Sequence, residues 1–187
     1  MDAVSLLKQD HSEVAGLFKK FEQAGDADKI SLAEQICQML TIHALIEEEL
    51  LYPAARGVLE ADDEDLVDEA TVEHASIKDL VEQISSTAGS GDDLFAARVT
   101  VLGEYVNHHV AEEENEIFPK LQATDLDLAA LGQALATRKG ELMTELGVSA
   151  DDAIEQTDAE NKAPDKKSPS GKLKTLKIRP GNGVPNR

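Results

Sequence analysis

Two segments of the chain place a histidine four residues before a glutamate: His43 with Glu47, and His109 with Glu113. On an α-helix these side chains lie on the same face, about one turn apart. Two further histidines each follow an acidic residue, in other segments with helical periodicity. Imidazole and carboxylate together suit iron and similar divalent metals. One group from each of four helices can therefore converge on metal inside a bundle, and the predicted ligands are His11, His43, Glu47, His74, His109 and Glu113.

The helices that must position these residues are visible as apolar periodicity from residue 2 to about residue 146. The stretch 87–92 is rich in Gly and Ser and predicts a loop. The chain is thus predicted to be all-α, with a bundle at 1–125, an accessory helix within 126–148 and a flexible tail at 149–187. Helices are predicted over residues 3–24, 29–59 and 62–86, then from the loop to 122, and more weakly over 126–146.

An internal repeat becomes visible when the two His-Glu pairs, 66 residues apart, are aligned. In both copies a proline follows ten residues after the histidine, preceded by Tyr52 in the first and Phe118 in the second. The single histidines His11 and His74 are offset by 63 residues. The repeat predicts two helical hairpins, each with a histidine on its first helix and a His-x-x-x-Glu pair on its second.

The His-Glu pairs lie on predicted buried stripes. On the second helix, Ile36, Leu40 and Leu50 share a face with His43 and Glu47. A buried charge without compensation is very costly, and a metal ion would supply that compensation. A lone histidine on an apolar face is more often a hydrogen-bonded core residue, and a single His-x-x-x-Glu is common as a surface pair. Joint placement on four helices favours metal over a bundle whose buried His and Glu merely hydrogen-bond.

Two other residues have open roles. His108 lies about 100° around the helix from His109, so a solvent position, a hydrogen-bonding role beside the ligands and direct ligation all stay open. Tyr105 stands one turn before His109 and is expected to point toward the site, with core packing as the alternative. Lys78, one turn after His74, would either favour a bound anion such as peroxide or face solvent.

The charge of −19 argues against a nucleic-acid-binding core and against anionic membrane surfaces. A single cysteine, a polar N-terminal segment and the absence of an 18-residue apolar run together predict a cytoplasmic location. Residues 161–187 carry eight basic side chains against one acidic, whereas residues 1–150 carry ten against 31. The tail is therefore predicted to be a disordered, solvated segment, or a basic arm that contacts the acidic body or an outside partner.

Several metal and phosphate sites are excluded by spacing. No histidine has a glutamate three residues before it, which removes the Glu-x-x-His pairs of ferritin-like bundles. The chain also lacks the His-Glu-x-x-His pair of zinc proteases and a Gly-rich phosphate-binding loop.

With Asp10-His11, the two His-x-x-x-Glu-Glu segments that each lead to Tyr-Pro or Phe-Pro, and His74, the chain resembles the hemerythrin-like family, specifically its His-His-Glu cation-binding domains. The resemblance covers about residues 1–125 and implies an up-down-up-down four-helix bundle. It also implies two non-haem iron ions with an oxo or hydroxo bridge. In that arrangement Glu47 and Glu113 bridge the irons, and the four histidines are terminal ligands.

The resemblance further implies a protein that binds O2, or that reacts with peroxide or nitric oxide as a catalase- or peroxidase-like enzyme. The alternative is a non-catalytic oxygen or iron sensor, or an iron-binding protein. The chain departs from the invertebrate oxygen carriers, because Ala70 and Lys78 stand where a second histidine of the third helix would be. Water, Tyr105 or His108 would then complete one iron, and Glu113 replaces the carriers' aspartate.

Overall fold

A computed structural model describes residues 1–148; the tail predicted at 149–187 lies outside the described residues. Within the described part the chain is helical and contains no strand, which confirms the predicted all-α class with an additional C-terminal helix. Helical segments are α1 (Ala3–Gln23), α2 (Asp26–Ile46), π1 (Glu47–Leu51), α3 (Tyr52–Arg56), α4 (Ala61–Thr87), α5 (Phe95–Glu112), π2 (Glu113–Ile117), α6 (Phe118–Gln122) and α7 (Leu128–Glu145).

Local sequence signals explain where several helices begin. The Asp2 side chain accepts a hydrogen bond from the Ser5 backbone at the start of α1, at 3.0 Å. Asp127 does the same for Ala130 at the start of α7, at 2.9 Å. The predicted second and fourth helices are each interrupted by a π turn, which the 3.6-residue periodicity did not reveal. Otherwise the predicted helix ends lie within a few residues of the observed ones.

Helices α1, α2, α4 and α5 pack in an up-down-up-down bundle. Helix α1 contacts α2 and α5, and α4 contacts the same two helices. Residues 24–25 alone connect α1 to α2, and such short connections place consecutive helices antiparallel. Helix α7 lies outside this square, against α1, α2 and π1. The bundle is therefore covered on one side by a helix that is not one of the four.

The apolar core consists of two clusters separated by a polar layer. One cluster contains Leu7, Ile46 and Phe118, and the other contains Val14 and Leu102. Helices α1, α2, α4 and α5 each contribute one histidine to the layer between the two clusters. The predicted ligands consequently lie in the middle of the bundle, with apolar packing above and below. In the part of the chain that the structure describes, no helix is long and apolar enough to cross a membrane.

Candidate metal centre

The six predicted ligands all lie in this polar layer, and all six are buried. Helices α1, α2, α4 and α5 each provide one histidine, and the two π turns each provide one glutamate as their first residue. Glu47 and Glu113 are fully buried. The structure therefore brings together every residue of the predicted set: His11, His43, Glu47, His74, His109 and Glu113.

The four histidines form two pairs through their inner nitrogens. His11 Nε2 lies 3.1 Å from His43 Nε2, and His74 Nε2 lies 3.0 Å from His109 Nε2. Each pair joins the first helix of one repeat half to the second helix of that half. The two nitrogens of a pair lie close to one common point. The two pairs therefore define two such points, next to each other in the bundle.

Each glutamate reaches both histidine pairs. Glu47 Oε2 lies 3.2 Å from His43 Nε2 and 3.4 Å from His74 Nε2. Glu113 Oε2 lies 3.3 Å from His11 Nε2 and 3.6 Å from His109 Nε2. Both carboxylates thus stand between the two positions. A carboxylate in such a place could contact a metal ion bound by either histidine pair.

The buried oxygens test whether a metal fits. Both oxygens of Glu47 and Oε2 of Glu113 accept no hydrogen bond from the described residues, although they are inaccessible to solvent. Buried carboxylate oxygens without donors are costly, and a divalent cation coordinated by carboxylate and imidazole would remove that cost. The residues therefore fit a metal centre better than they fit a network of hydrogen bonds.

The outer nitrogens of the histidines face carboxylates. His11 Nδ1 lies 2.9 Å from Glu114, and His74 Nδ1 lies 3.0 Å from Glu48. His109 Nδ1 lies 2.8 Å from Glu73. In metal sites such a carboxylate fixes which ring nitrogen carries the proton and leaves the other free for the ion.

The fourth outer contact is longer. His43 Nδ1 lies 3.6 Å from Oδ2 of Asp10, a buried residue. The acidic residues before His11 and His74 therefore serve the imidazoles of neighbouring helices, rather than those beside them in sequence.

Lysines accompany three of these four carboxylates. Lys8 pairs with Glu114, Lys78 with Glu48, and Lys139 of α7 with Asp10. Lys78 therefore binds a carboxylate beside His74 and does not point at the buried donors. Glu73 instead faces His108.

The electrostatics of the inner groups differ between the two glutamates. Burial and the charge of Glu113 raise the pKa of Glu47 to about 8. Burial also opposes ionisation of Glu113, but the contact with His11, whose Nε2 lies 3.3 Å from Oε2, and the nearby imidazoles outweigh it and lower the Glu113 pKa to about 2. Burial disfavours the charged form of His11, yet contact with Glu113 raises the His11 pKa to about 9. The metal-free site therefore contains one ion pair and one protonated glutamate at neutral pH.

Tyr52 is a site residue that the sequence analysis did not assign. Its hydroxyl donates to Glu113 Oε1 at 3.1 Å and lies 3.3 Å from His74 Nε2. A π turn contains more residues per turn than an α-helix, so Tyr52, five residues after Glu47, faces the same side as Glu47. The repeat was the available signal, because it aligned Tyr52 with Phe118, whose ring stacks on His11 at 5.9 Å between centroids.

Tyr105 does not point toward the site, and that expectation was wrong. Its side chain is 50% exposed on α5. The buried stripe of α5 passes through Leu102 and Val106, and His109 lies at one edge of it. Tyr105 lies beyond that edge, away from the stripe. Helix geometry places it roughly 100° around the helix axis from the middle of the stripe.

His108 does not reach the buried donors either. Its side chain is 64% exposed, and its Nε2 lies 3.3 Å from Glu73 and 3.2 Å from Glu112. Of the roles left open for His108, direct ligation in the buried centre is excluded. One carboxylate, that of Glu73, separates it from His109.

A small cavity adjoins the centre. It measures about 10 Å³ and is lined by three of the histidines together with apolar side chains such as Leu40, Ile77 and Val106. A volume of this size is close to the least that holds one water molecule. The arrangement therefore admits only very small molecules next to the imidazoles.

The sequence is similar to a family of cation-binding domains. The sequence profile of the hemerythrin HHE cation binding domain matches residues 2–121. A curated protein of Nostoc sp. named DNA nickase is 36% identical over 124 residues, which make up 65% of this chain. The chain spans about a third of that relative, since the match covers 34% of its length.

A solved structure is similar as well. The crystal structure of a hemerythrin HHE cation binding domain-containing protein from Mycobacterium kansasii superposes with a TM-score of 0.65 at 25% sequence identity. The superposition covers 78% of this chain and 89% of the other. Helix α7 lies beyond the residues that the family profile matches.

Proposed function

The chain belongs to the hemerythrin HHE cation-binding family, and on that premise we propose that its buried donors hold two iron ions. We propose further that this centre binds O2, or reacts with peroxide or nitric oxide, as a non-haem di-iron protein. Catalase- or peroxidase-like turnover is the enzymatic form of this function. The compartment in which it acts is proposed to be the cytoplasm.

One observation supports the proposal above the others. Glu47 and Glu113 are fully buried, each carries an oxygen that accepts no hydrogen bond from the described residues, and each faces both histidine pairs. A single ion would contact the inner nitrogens of only one of the two histidine pairs. Two ions side by side would engage every inner nitrogen and both carboxylates.

When bound, a pair of irons supplies two adjacent redox-active Lewis acids that can share an exchange of two electrons. The chain's own residues prepare the site for it. Glu48 and Glu114 hold the outer nitrogens of His74 and His11, so that the inner nitrogens keep their lone pairs free. The Tyr52 hydroxyl, held by Glu113, is a hydrogen-bond donor beside His74. It is thus placed to hold a proton close to where a small oxygen-containing molecule would bind.

Apolar packing determines what reaches the centre. The adjoining cavity is small and apolar apart from its histidines. Larger reductants and organic substrates are too big for it, which favours a substrate as small as a diatomic gas or peroxide. The clusters above and below exclude bulk water and limit side reactions.

DNA cleavage, which the name of the Nostoc relative states, is not proposed for this chain. The match covers only about a third of that protein. Residues 1–150 carry 31 acidic side chains against ten basic ones, and such a body repels the phosphate backbone. We propose that the bundle does not bind nucleic acid.

The experiment that tests the function is elemental analysis of protein purified without added metal or affinity tag. We expect about two irons per chain, the number that a two-metal site holds. The variants His43→Ala and Glu113→Ala should lose them together, and the control Glu116→Ala, an exposed residue of the same π turn, should keep them. Circular dichroism checks that each variant is folded.

Consumption of hydrogen peroxide and of nitric oxide by the iron-loaded chain then separates the two forms of the function. Repeated turnover of either molecule would assign an enzymatic function. Stoichiometric oxidation without turnover assigns the alternative, an oxygen or iron sensor or an iron-binding protein. One iron or none per chain, even after anaerobic incubation with ferrous iron, contradicts the di-iron centre itself.

A further inference from the structure

The four outer carboxylates are not equivalent. Three of them have a lysine partner, as described above, whereas Glu73 has none among the described residues. Glu73 instead stands next to a second carboxylate, that of Glu112, with the imidazole of His108 between them. This corner of the bundle therefore carries two carboxyl groups and no lysine among the described residues, where each of the other corners carries a carboxylate–lysine pair.

Hydrogen bonding within the corner does not resolve the excess charge. His108 Nε2 lies 3.3 Å from Glu73 Oε1 and 3.2 Å from Glu112 Oε1. Both contacts use the same ring nitrogen, which carries at most one N–H and so can donate to only one of the two oxygens. The second carboxyl group lies against the first without a cation of its own, and ionised carboxylates this close repel.

We propose that Glu73, His108 and Glu112 form a second, solvent-facing site for a divalent transition-metal ion, distinct from the buried centre. The three donor atoms lie within 4.8 Å of one another, close enough for a single ion. Two carboxylates and one imidazole suit ferrous iron and related ions, and the charge of the ion would balance both glutamates. His108 is 64% exposed, so water completes the coordination and the ion can exchange.

The position of Glu73 suggests what the site does. Its Oε1 faces the surface site, and its Oε2 lies 2.8 Å from Nδ1 of His109, a residue of the buried layer. The surface ion is therefore separated from the buried donors by one carboxylate and one imidazole ring. We assign it as the place where an incoming ion loses part of its hydration before it enters the bundle. This loading role rests on the proposed buried centre, whereas the existence of the surface site does not.

The test counts ions on the full chain. Metal-free protein is dialysed to equilibrium against cobalt(II), and bound cobalt is measured by elemental analysis. The variants are Glu112→Gln and His108→Ala, which leave Glu73 and the buried donors in place. The matched control is Glu116→Gln, which removes the same charge from an exposed position four residues away.

The proposal expects both variants to bind one ion per chain fewer than the native chain and the Glu116→Gln control. Equal counts in all four proteins would overturn it. The count that remains in Glu112→Gln reports on the buried centre alone, so failure of the di-iron proposal and failure of the surface site give different results.

The loading role is tested by the rate at which added ferrous iron enters the metal-free chain under anaerobic conditions, followed in a stopped-flow instrument. Glu112→Gln should load roughly tenfold more slowly than Glu116→Gln, a loss comparable to those seen when residues that support a metal site are removed. Equal rates in the two variants would overturn the loading role.

Discussion

Lys139 Nζ, on the helix outside the bundle, lies 2.5 Å from Oδ1 of Asp10, and the other oxygen of Asp10 faces His43 Nδ1 at 3.6 Å. The buried layer is thus in contact, through one carboxylate, with a helix beyond residues 2–121, the part that the family profile matches. Burial opposes ionisation of Asp10, but His43 and Lys139 outweigh it and lower the pKa of that carboxyl.

Replacing Lys139 with Met should destabilise the chain by about 2–3 kcal/mol, because it leaves the buried Asp10 without its cation. The estimate lies at the low end for buried pairs because the lysine is 26% exposed. Urea denaturation of the metal-free protein measures the change. The matched control is Lys120→Met, whose pair with Asp63 is on the surface and should contribute little to the free energy of unfolding. Equal losses in both variants would contradict the role of Lys139.

Helix α7 approaches the start of α1 closely at Gly132. A Cβ there would lie 2.6 Å from backbone atoms of Met1 and Asp2. Gly132→Ala should therefore push the helices apart and cost about 1–3 kcal/mol in unfolding free energy. Gly140→Ala is on the same helix with open space around it, and should stabilise by about 0.5–1 kcal/mol through helix propensity. Thermal unfolding of both variants measures the sign of each change in stability. A stabilising Gly132→Ala would refute the close packing.

The hydroxyl of Tyr52 should contribute to the free energy of unfolding, whereas that of Tyr105 should not. Tyr52→Phe removes the donor to the buried Glu113 and should cost about 1–3 kcal/mol in the metal-free chain. Phenylalanine itself fits such a position, as Phe118 shows in the second repeat. Tyr105→Phe, at an exposed site, should leave the unfolding free energy unchanged. Denaturant titration compares them, and no difference between the variants would remove Tyr52 from the site's hydrogen-bond network.

The spacing between Glu47 and Tyr52 should be required for the site geometry. Inserting one alanine after Glu49, an exposed residue of π1, would place Tyr52 six residues after Glu47 and rotate it away by roughly 100°. We expect the insertion to weaken metal binding by tenfold or more, the order typical for loss of supporting contacts. The control Glu49→Ala removes a side chain at the same point, with its pair to Arg138, without changing the register. If insertion and substitution bound metal equally well, the spacing set by the π turn would have no positioning role.

Metal binding should release protons and strengthen as pH rises. Between neutral pH and about 8–9 the metal-free chain holds protons on Glu47, with pKa about 8, and on His11, with pKa about 9. Both must leave before these groups bind an ion, so about two protons are released at pH 7 and fewer above pH 9. Calorimetric titration with zinc in two buffers of different ionisation enthalpy measures the number. If the number of protons released per chain did not decrease from pH 7 to pH 9.5, these protonation states would be contradicted.

Much of the site could be predicted because its information is local. A His and a Glu four residues apart must share a helix face whatever surrounds them, so His43 with Glu47 and His109 with Glu113 needed no tertiary knowledge. The repeat then indicated that His11 and His74 occupy equivalent places. All six residues meet in the structure as buried neighbours. Their role as metal ligands stays a prediction until ions are counted.

The choice between the two tyrosines could not be made from periodicity. A regular helix places Tyr105 near His109 and says nothing about Tyr52, since five residues after Glu47 is the wrong spacing for 3.6 residues per turn. The π turn changes that spacing, and a pattern of 3.6 residues per turn does not reveal it. The exposure of Tyr105 likewise depends on how far α5 is rotated about its own axis.

By itself, the sequence determined the helices, the buried faces and the six donors, because helix geometry relates each residue to neighbours three or four positions away. Only the tertiary structure decided which carboxylate serves which imidazole. Asp10 turned out to face His43 and not its neighbour His11, and Lys139 reaches Asp10 from 129 residues away. Those contacts cross between helices, and they depend on rotations and separations that no pattern along one helix records.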